Sequence, residues 1–193
     1  QLDKDELPVG DLKDAMIAEL RAVRALWYSM LLDTHGNVPI VTAFTDEVPT
    51  QATRQQVYDF VVKELTEALP KLSTENSATT YGRMNKWAAL ALLCRVYLNA
   101  EVYTGTAQWQ KAAEYAQKVM NSAYKLHTTG SHDAVNNKDW SAYQMLFMGD
   151  NGENGAQCEA ILPLLQDGIT TTSWGTSLFL MASTFKDDMT IVG

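Results

Sequence analysis

The stretch RMNKWAALALLCRVYLNAEVYTG, residues 83–105, is the most informative about the fold of this 193-residue chain. From Trp87 to Ala100 it has one charged residue, Arg95, and no glycine or proline. A helix that is apolar nearly all round is typical of one that packs against neighbours on more than one side. The stretch therefore predicts a buried helix in a larger helical scaffold. Arg95 is expected to have a carboxylate or carbonyl partner, because an unpaired buried charge is very costly.

Three other segments have the helical spacing of apolar residues, which gives four predicted helices in two consecutive pairs. Their apolar faces are Leu12, Met16, Leu20, Val23, Trp27 and Met30; Val57, Val61, Leu65, Ala68 and Leu72; and Ala112, Ala116, Val119, Met120 and Ala123. The third and fourth helices are rich in alanine, with Tyr97 and Tyr115 as bulky partners. Small residues that let paired helices approach closely are typical of tetratricopeptide repeats. The prediction is a mainly α fold of tetratricopeptide-like helical hairpins.

The chain changes character after residue 126. HTTGSHDAVNNKDWSAYQ, residues 127–144, is polar and rich in turn formers, which indicates a long surface loop. EAILPLL, residues 159–165, fits either a short strand or a buried extended segment. We predict one domain over residues 1–193, with a helical scaffold at 11–125 and a loop-rich region with short strands at 126–193. The second part has too few apolar residues for a core of its own.

Charge and composition exclude several classes of partner and site. The net charge is −8, whereas a protein that neutralises phosphates needs clustered lysine and arginine, so no nucleic-acid partner is expected. No window reaches the eighteen apolar residues of a membrane-spanning helix. The two cysteines, Cys94 and Cys158, lack any metal-binding spacing.

The sequence carries no catalytic signature, since the GxSxG, HExxH, GxGxxG and P-loop patterns are all absent. His127 and His132 lie five residues apart in a polar segment, where solvated histidines are far more common than a metal pair. Glu64 and Glu67 fall on the polar side of the second helix and are interpreted as a solvated face. We predict that the protein is not an enzyme and has no metal site.

The acidic turn DNGENG, residues 150–155, has two interpretations. Its oxygen-rich side chains suit calcium, but their spacing does not follow the EF-hand pattern. A plain turn is the simpler interpretation and a calcium loop the alternative. No other cofactor is predicted.

Trp174 differs from the other tryptophans of the chain. Trp27, Trp87 and Trp109 fall in or beside helical faces and are interpreted as core residues. Trp174 lies in TTTSWGTS, residues 170–177, among hydroxyl-bearing residues and glycine. An indole in such surroundings can stack on the apolar face of a sugar while nearby polar groups bind its hydroxyls. We predict that Trp174 is at least partly exposed; from these residues alone it either contacts a glycan or folds back onto the domain, as loop tryptophans often do.

Three stretches resemble the SusD/RagB family. AELRAVRALWYSMLLDTHGNVPIV, residues 18–41, resembles the helix that leads into that family's GxVP turn. Residues 82–105, followed by WQKAAEYAQKVMNSAYKL at 109–126, resemble its central helical hairpin. LFMGDNGENGAQCEAILPLLQDG, residues 146–168, is similar to the segment that follows.

The resemblance implies a glycan-binding lipoprotein of the outer membrane of Bacteroidetes, exposed at the cell surface. It implies a polysaccharide or oligosaccharide ligand, a SusC-like TonB-dependent transporter as partner, and an irregular glycan-facing region. The family runs to several hundred residues, so we expect this chain to be an internal piece of under half of it. The nearest similarity is to starch-binding members, which have a stacking aromatic where this chain has Trp174. Gln166, Asp167 and Thr172 are proposed sugar contacts because they lie near Trp174 in sequence. The alternative is a helical-repeat scaffold that binds a protein.

Overall fold

A computed structural model of the protein describes residues 9–44 and 46–166. The helices are α1 (Asp11–Thr34), α2 (Arg54–Ala68), α3 (Lys86–Leu98), α4 (Ala100–Thr104), α5 (Trp109–Met120) and α6 (Ala142–Met145), and a 3₁₀ turn spans Ala156–Cys158. The strands β1 (Ser131–Asp133) and β2 (Lys138–Trp140) form an antiparallel hairpin. The prediction of a mainly α fold is confirmed.

The long helices form two hairpins. Helix α1 packs along α2, and α3 packs along α5. Helix α2 also contacts α3 and α4, which joins the two hairpins into one helical layer. The apolar face predicted for α2 is confirmed, since all five of its residues are buried: Val57, Val61, Leu65, Ala68 and Leu72.

Local sequence signals set where these helices begin and end. Thr53 and Gln56 form a reciprocal capping box at the start of α2, and Pro70 follows shortly after its end. Asn85 caps α3 by accepting a hydrogen bond from the backbone of Ala88 at 3.0 Å. Gly105 ends α4 in the left-handed conformation, which a residue without a Cβ atom adopts at little cost.

Helix α3 is buried on more than one side, as its sequence predicts. It contacts α1, α2 and α5, and its buried residues are Ala88, Ala89, Leu90, Leu92, Leu93, Val96 and Tyr97. The ring of Tyr97 stacks on that of Tyr115 with centroids 5.3 Å apart. Arg95 has the predicted carboxylate partner, Asp33, at 3.0 Å, but the pair lies at the surface, where it adds little stability.

Helix α1 buries the opposite face from the one predicted. Its buried residues are the small face Ala18, Ala22, Ala25 and Ser29, followed by Leu32. On the predicted face, Leu20 is 54% exposed and Trp27 is 61% exposed. The reason is close packing: alanines let the backbones of α1 and α2 approach, whereas the bulky residues would hold them apart. The prediction for this helix face was wrong for Leu20 and Trp27, whereas Val23 of that face is half-buried and packs against the core. Helix α1 thus carries an exposed apolar surface.

Two further predictions of burial also fail in part. In α5, Ala112 is buried, but Met120 and the following Ala123 are exposed, because α5 packs against α3 along its other side. Trp109, interpreted as a core residue, is 62% exposed. Trp87 is half-buried and donates its indole N–H to the carbonyl oxygen of Thr74 at 2.9 Å.

The interpretation of Glu64 as a solvated residue was wrong. Glu64 is 4% exposed and lies between α1 and α2. Arg21 donates Nε and Nη2 to Oε1 at 3.0 and 2.8 Å, and Arg24 donates Nε to Oε2 at 2.8 Å. Glu67 is more exposed and accepts a second bond from Arg21. Four charged side chains thus hold the first hairpin together.

The chain divides into two compact units, Gln1–Leu162 and Pro163–Gly193. The first contains all the helices and strands described above. The prediction of a single domain over 1–193 stays a prediction. Within the described residues, no helix combines the length and apolar character needed to span a bilayer.

Candidate functional site

The loop-rich region is tied to the helical layer through Tyr124. Its hydroxyl accepts a hydrogen bond from Asn85 Nδ2 at 3.0 Å and donates one to the carbonyl oxygen of Ile161 at 3.5 Å. Asn85 is buried and already caps α3 through its Oδ1 atom. Ile161 and Leu162 pack against the core in a bend, so the apolar run is a packed irregular segment there and not a strand.

A pocket of about 500 Å³ opens where residues 125–131 pass the 154–158 segment. A backbone hydrogen bond runs from Lys125 N to the carbonyl oxygen of Cys158 at 3.1 Å, and His127 N donates to the side-chain carboxylate of the next residue, Glu159, at 2.9 Å from Oε2. Side chains with hydroxyl, amine or amide groups line much of it: Lys125, Thr128, Thr129, Ser131 and Asn154. Such groups can exchange hydrogen bonds with the hydroxyls of a neutral sugar.

His127 contributes a buried polar atom at the edge of this pocket. Its Nε2 atom is enclosed and has no hydrogen-bond partner among the described residues. The ring lies close to Gly155, where an added Cβ atom would come within 3.3 Å of its Cε1 atom. Because Gly155 also has a positive φ of 104°, glycine suits this position on both counts.

The hairpin of β1 and β2 is a polar element of the same region. His132 lies opposite Asp139 in the ladder, and its Nδ1 atom is 2.7 Å from Asp139 Oδ1. At the turn, Asp133 accepts hydrogen bonds from the side chain and backbone of Asn136, which hold the pKa of its carboxyl below the ordinary value. Within the described residues, no three His, Cys, Asp or Glu side chains are grouped to hold a metal ion.

The one-turn helix α6 and the turn that follows it present an aromatic pair to solvent. Tyr143 is 70% exposed and Phe147 is 73% exposed. Their ring centroids are 5.1 Å apart, with an angle of 62° between the planes. On the other side of the helix Met145 is buried, and it also lines the pocket beside His127.

Side chains of the DNGENG turn donate hydrogen bonds to backbone carbonyl oxygens at the end of α6. Asn151 Nδ2 donates to the carbonyl oxygen of Leu146 at 2.9 Å, and Asn154 Nδ2 donates to that of Met145 at 3.1 Å. Asp150 Oδ1 accepts from Asn154 at 3.0 Å. These side chains are therefore occupied within the turn, which favours the plain-turn interpretation. The calcium alternative stays untested.

The predicted sugar contacts fall at and beyond the end of the described residues. Gln166 is exposed and lies in the second unit. Asp167, Thr172 and Trp174 lie outside the described residues, so the predicted site stays a prediction. Tyr143 and Phe147 were not among the predicted site residues, because Tyr143 falls in the stretch 127–144, which was predicted as one loop, and Phe147 follows directly after it. The signal was present in Ser141 and Gln144, which form a capping box, followed by aromatics four residues apart.

Paired helical hairpins that carry a loop region with exposed aromatics define a helical-repeat scaffold protein. The family model for SusD-like proteins, described as starch-binding and associating with the outer membrane, matches residues 2–98, about half of the chain. The chain belongs to this SusD-like family.

Comparison with individual proteins agrees. The starch-binding protein SusD of Bacteroides thetaiotaomicron is 39% identical over 168 residues, which cover 86% of this chain and 28% of that protein. A laminarin-binding SusD-like protein of known structure superposes with a TM-score of 0.60 at 28% identity, covering 80% of this chain and 32% of that one. A SusD-like protein of Bacteroides fragilis shares the fold, with a TM-score of 0.60 at 22% identity over 77% of this chain and 27% of that one. The chain thus spans about a third or less of the length of these relatives.

Proposed function

We propose that this protein binds a glycan at the cell surface for nutrient uptake and does not cleave it. Starch or another α-glucan is the favoured ligand. The observation that carries the proposal is the 39% identity to a starch-binding protein over 168 residues, in a chain of the SusD-like family. The pocket beside His127, which has hydroxyl and amide side chains in its lining, and the exposed rings of Tyr143 and Phe147 add support, because sugars contact such groups.

The proposed ligand contacts are Trp174, Gln166, Asp167 and Thr172. Trp174 would stack on a sugar ring, and the three polar residues would bind its hydroxyls. Each aromatic contact of this kind contributes about 1 kcal/mol to the binding free energy, so a single platform gives weak binding. Repeated sugar units in a polysaccharide strengthen it.

Native affinity electrophoresis tests both the function and the site. The protein is run in gels that contain amylopectin, pullulan, xylan, mannan or no polysaccharide. Wild type and Trp174→Phe should be retarded by one glucan, and Trp174→Ala should migrate freely. Trp109→Ala is the control, because it removes an exposed indole from α5. If no glycan retards the wild type, the proposed function is wrong; if Trp174→Ala is retarded like the wild type, only the site is wrong.

We also propose an outer-membrane location exposed at the cell surface and a SusC-like TonB-dependent transporter as partner. The family's description as associating with the outer membrane supports the location. Surface labelling of intact cells should reach the protein, and a transporter should copurify with it from detergent-solubilised membranes. The bound glycan should be recovered with no new reducing ends.

A protein-binding scaffold is the second candidate function. The specific observation that favours it is the exposed apolar surface of α1, with Leu20 and Trp27. Exposed apolar patches often mark contact surfaces. Leu20→Ser with Trp27→Ser should then abolish capture of the partner, and glycan retardation should be absent in the wild type.

A further inference from the structure

The aromatic side chains of Tyr143 and Phe147 are exposed to solvent, and no feature of the neighbouring residues explains this exposure. Both side chains are more than two-thirds exposed; Tyr143 lies in α6 and Phe147 in the turn that follows it, whereas Met145 between them is buried. The Tyr143 hydroxyl makes no hydrogen bond with any of the residues that the structure describes. Large apolar side chains left in water are a cost unless they have a ligand.

The pair is held in place from three directions. The capping box closes the start of α6, with Ser141 N donating to Gln144 Oε1 at 2.9 Å. The backbone of Phe147 donates to the carbonyl oxygen of Gln144 at 3.1 Å. Asn151 and Asn154 bond the carbonyl oxygens of the last turn. A platform fixed in this way loses little conformational freedom when a ligand binds, which favours affinity.

The size of the pair argues against a protein partner. An aromatic side chain buries at most about 150–250 Å², so the two together offer roughly 300–500 Å². A stable protein interface needs about 800 Å² from each partner. Two rings that meet at 62° instead match the dimensions of one or two sugar units, whose C–H faces stack on aromatic planes.

The surrounding charge selects a neutral ligand. Residues 126–162 contain one lysine, Lys138, and five acidic residues: Asp133, Asp139, Asp150, Glu153 and Glu159. Asp150 and Glu153 are exposed in the turn that supports the pair. An acidic surface repels polyanions such as nucleic acids and sulfated or uronic polysaccharides, but leaves a neutral chain unaffected.

We infer that Tyr143 and Phe147 form a glycan-stacking platform for neutral polysaccharide, separate in sequence from the contacts proposed around Trp174. This inference rests on the proposed glycan-binding function and extends it to a second point of contact.

Affinity electrophoresis and calorimetry on the purified protein test the platform. The variant Tyr143→Ala/Phe147→Ala should bind amylopectin or pullulan about tenfold more weakly, which corresponds to ~1.4 kcal/mol. Tyr143→Phe and Phe147→Tyr, which keep both rings, should bind within about twofold of wild type. Trp109→Ala is the matched control for loss of an exposed aromatic outside the loop region. Melting temperatures should match wild type, because the substituted side chains are exposed.

The outcomes separate this inference from the proposed function. If wild type binds glucan and the double variant binds equally well, the platform is wrong while the function stands. If wild type binds no glycan, the function fails and the inference with it. If the double variant loses a polyanion such as heparin and keeps glucan, the choice of a neutral ligand is wrong.

Discussion

Arg21 and Glu64 face each other across the first hairpin, with Arg21 Nη2 2.8 Å from Glu64 Oε1. Glu64 is buried, and Arg24 occupies its second oxygen at 2.8 Å through Nε. The hydrogen bond to Glu64 is the largest cause that raises the pKa of the Arg21 guanidinium. This ion network fixes how α1 and α2 pair, and it therefore holds the scaffold on which the loop region is built.

We expect Glu64→Gln to lower the free energy of unfolding by about 2–3 kcal/mol, because two guanidinium groups lose their buried counter-charge. Glu67→Gln is the matched control. Its side chain is 49% exposed and its charge is screened by solvent, so the loss there should be much smaller than for Glu64→Gln. Urea unfolding of both variants at pH 7 makes the measurement, and equal losses would contradict the central place of Glu64.

Helix α1 gives a second prediction about which of its faces is packed. Ala25 is fully buried against α2, so Ala25→Leu should overpack the seam and cost about 1–3 kcal/mol. Leu20 lies on the exposed face, and Leu20→Ala should change stability by no more than about 0.5 kcal/mol. Thermal unfolding followed by circular dichroism compares them. If Leu20→Ala lowers stability more than Ala25→Leu does, the packed face of α1 is the one with Leu20, as its hydrophobic pattern predicts.

Alkaline pH should weaken the fold through Tyr58. Burial raises the pKa of Tyr58 to about 12, whereas a tyrosine in the unfolded chain ionises near 10. Between pH 10 and about 12 the unfolded chain has lost a proton that the folded chain keeps. The stability contributed by the neutral side chain is therefore complete below pH 10 and is lost as the pH rises toward 12.

Tyr58→Phe removes this titration and should make stability fall less steeply over that interval. The variant also loses the hydrogen bond that Gln108 donates to the hydroxyl at 3.0 Å, so it should start less stable at pH 8. Urea unfolding at pH 8, 10, 11 and 12 gives both values. An unchanged slope in Tyr58→Phe would show that another group controls the alkaline loss.

Removal of divalent cations should leave the 150–155 turn intact, because Asp150, Asn151 and Asn154 already bond within the turn and to α6. We expect the melting temperature to be the same in EDTA and in excess calcium. A rise in melting temperature with calcium that is abolished by Asp150→Asn would instead support the calcium alternative.

The sequence predicted the α2 and α3 packing well, because each of those helices offered an unambiguous choice of buried residues. The buried face of α1 was predicted wrongly. The face with Leu20 and Trp27 has the stronger hydrophobic pattern, but the close approach of α1 to α2 requires the small alanines at the contact. Glu64 was misjudged because its partners Arg21 and Arg24 are some forty residues away. Such long-range pairing leaves no local signal.

The candidate site was less predictable than the scaffold. The polar composition correctly predicted a loop-rich region, but it did not predict the hairpin of β1 and β2 or the short helix α6. Those elements depend on side-chain bonds such as Asn154 to Met145, which composition does not reveal. The contacts proposed around Trp174 rest on resemblance and on the residues flanking it in the sequence.

The most direct test of glycan binding is isothermal titration calorimetry of the purified protein with a linear α-glucan oligosaccharide of about seven units. The same titration with xylan, mannan and laminarin oligosaccharides defines the class of ligand. We expect saturable heat with one neutral glucan, reduced by Trp174→Ala and by Tyr143→Ala/Phe147→Ala. No saturable heat with any of these glycans, from a protein that melts cooperatively, would contradict it.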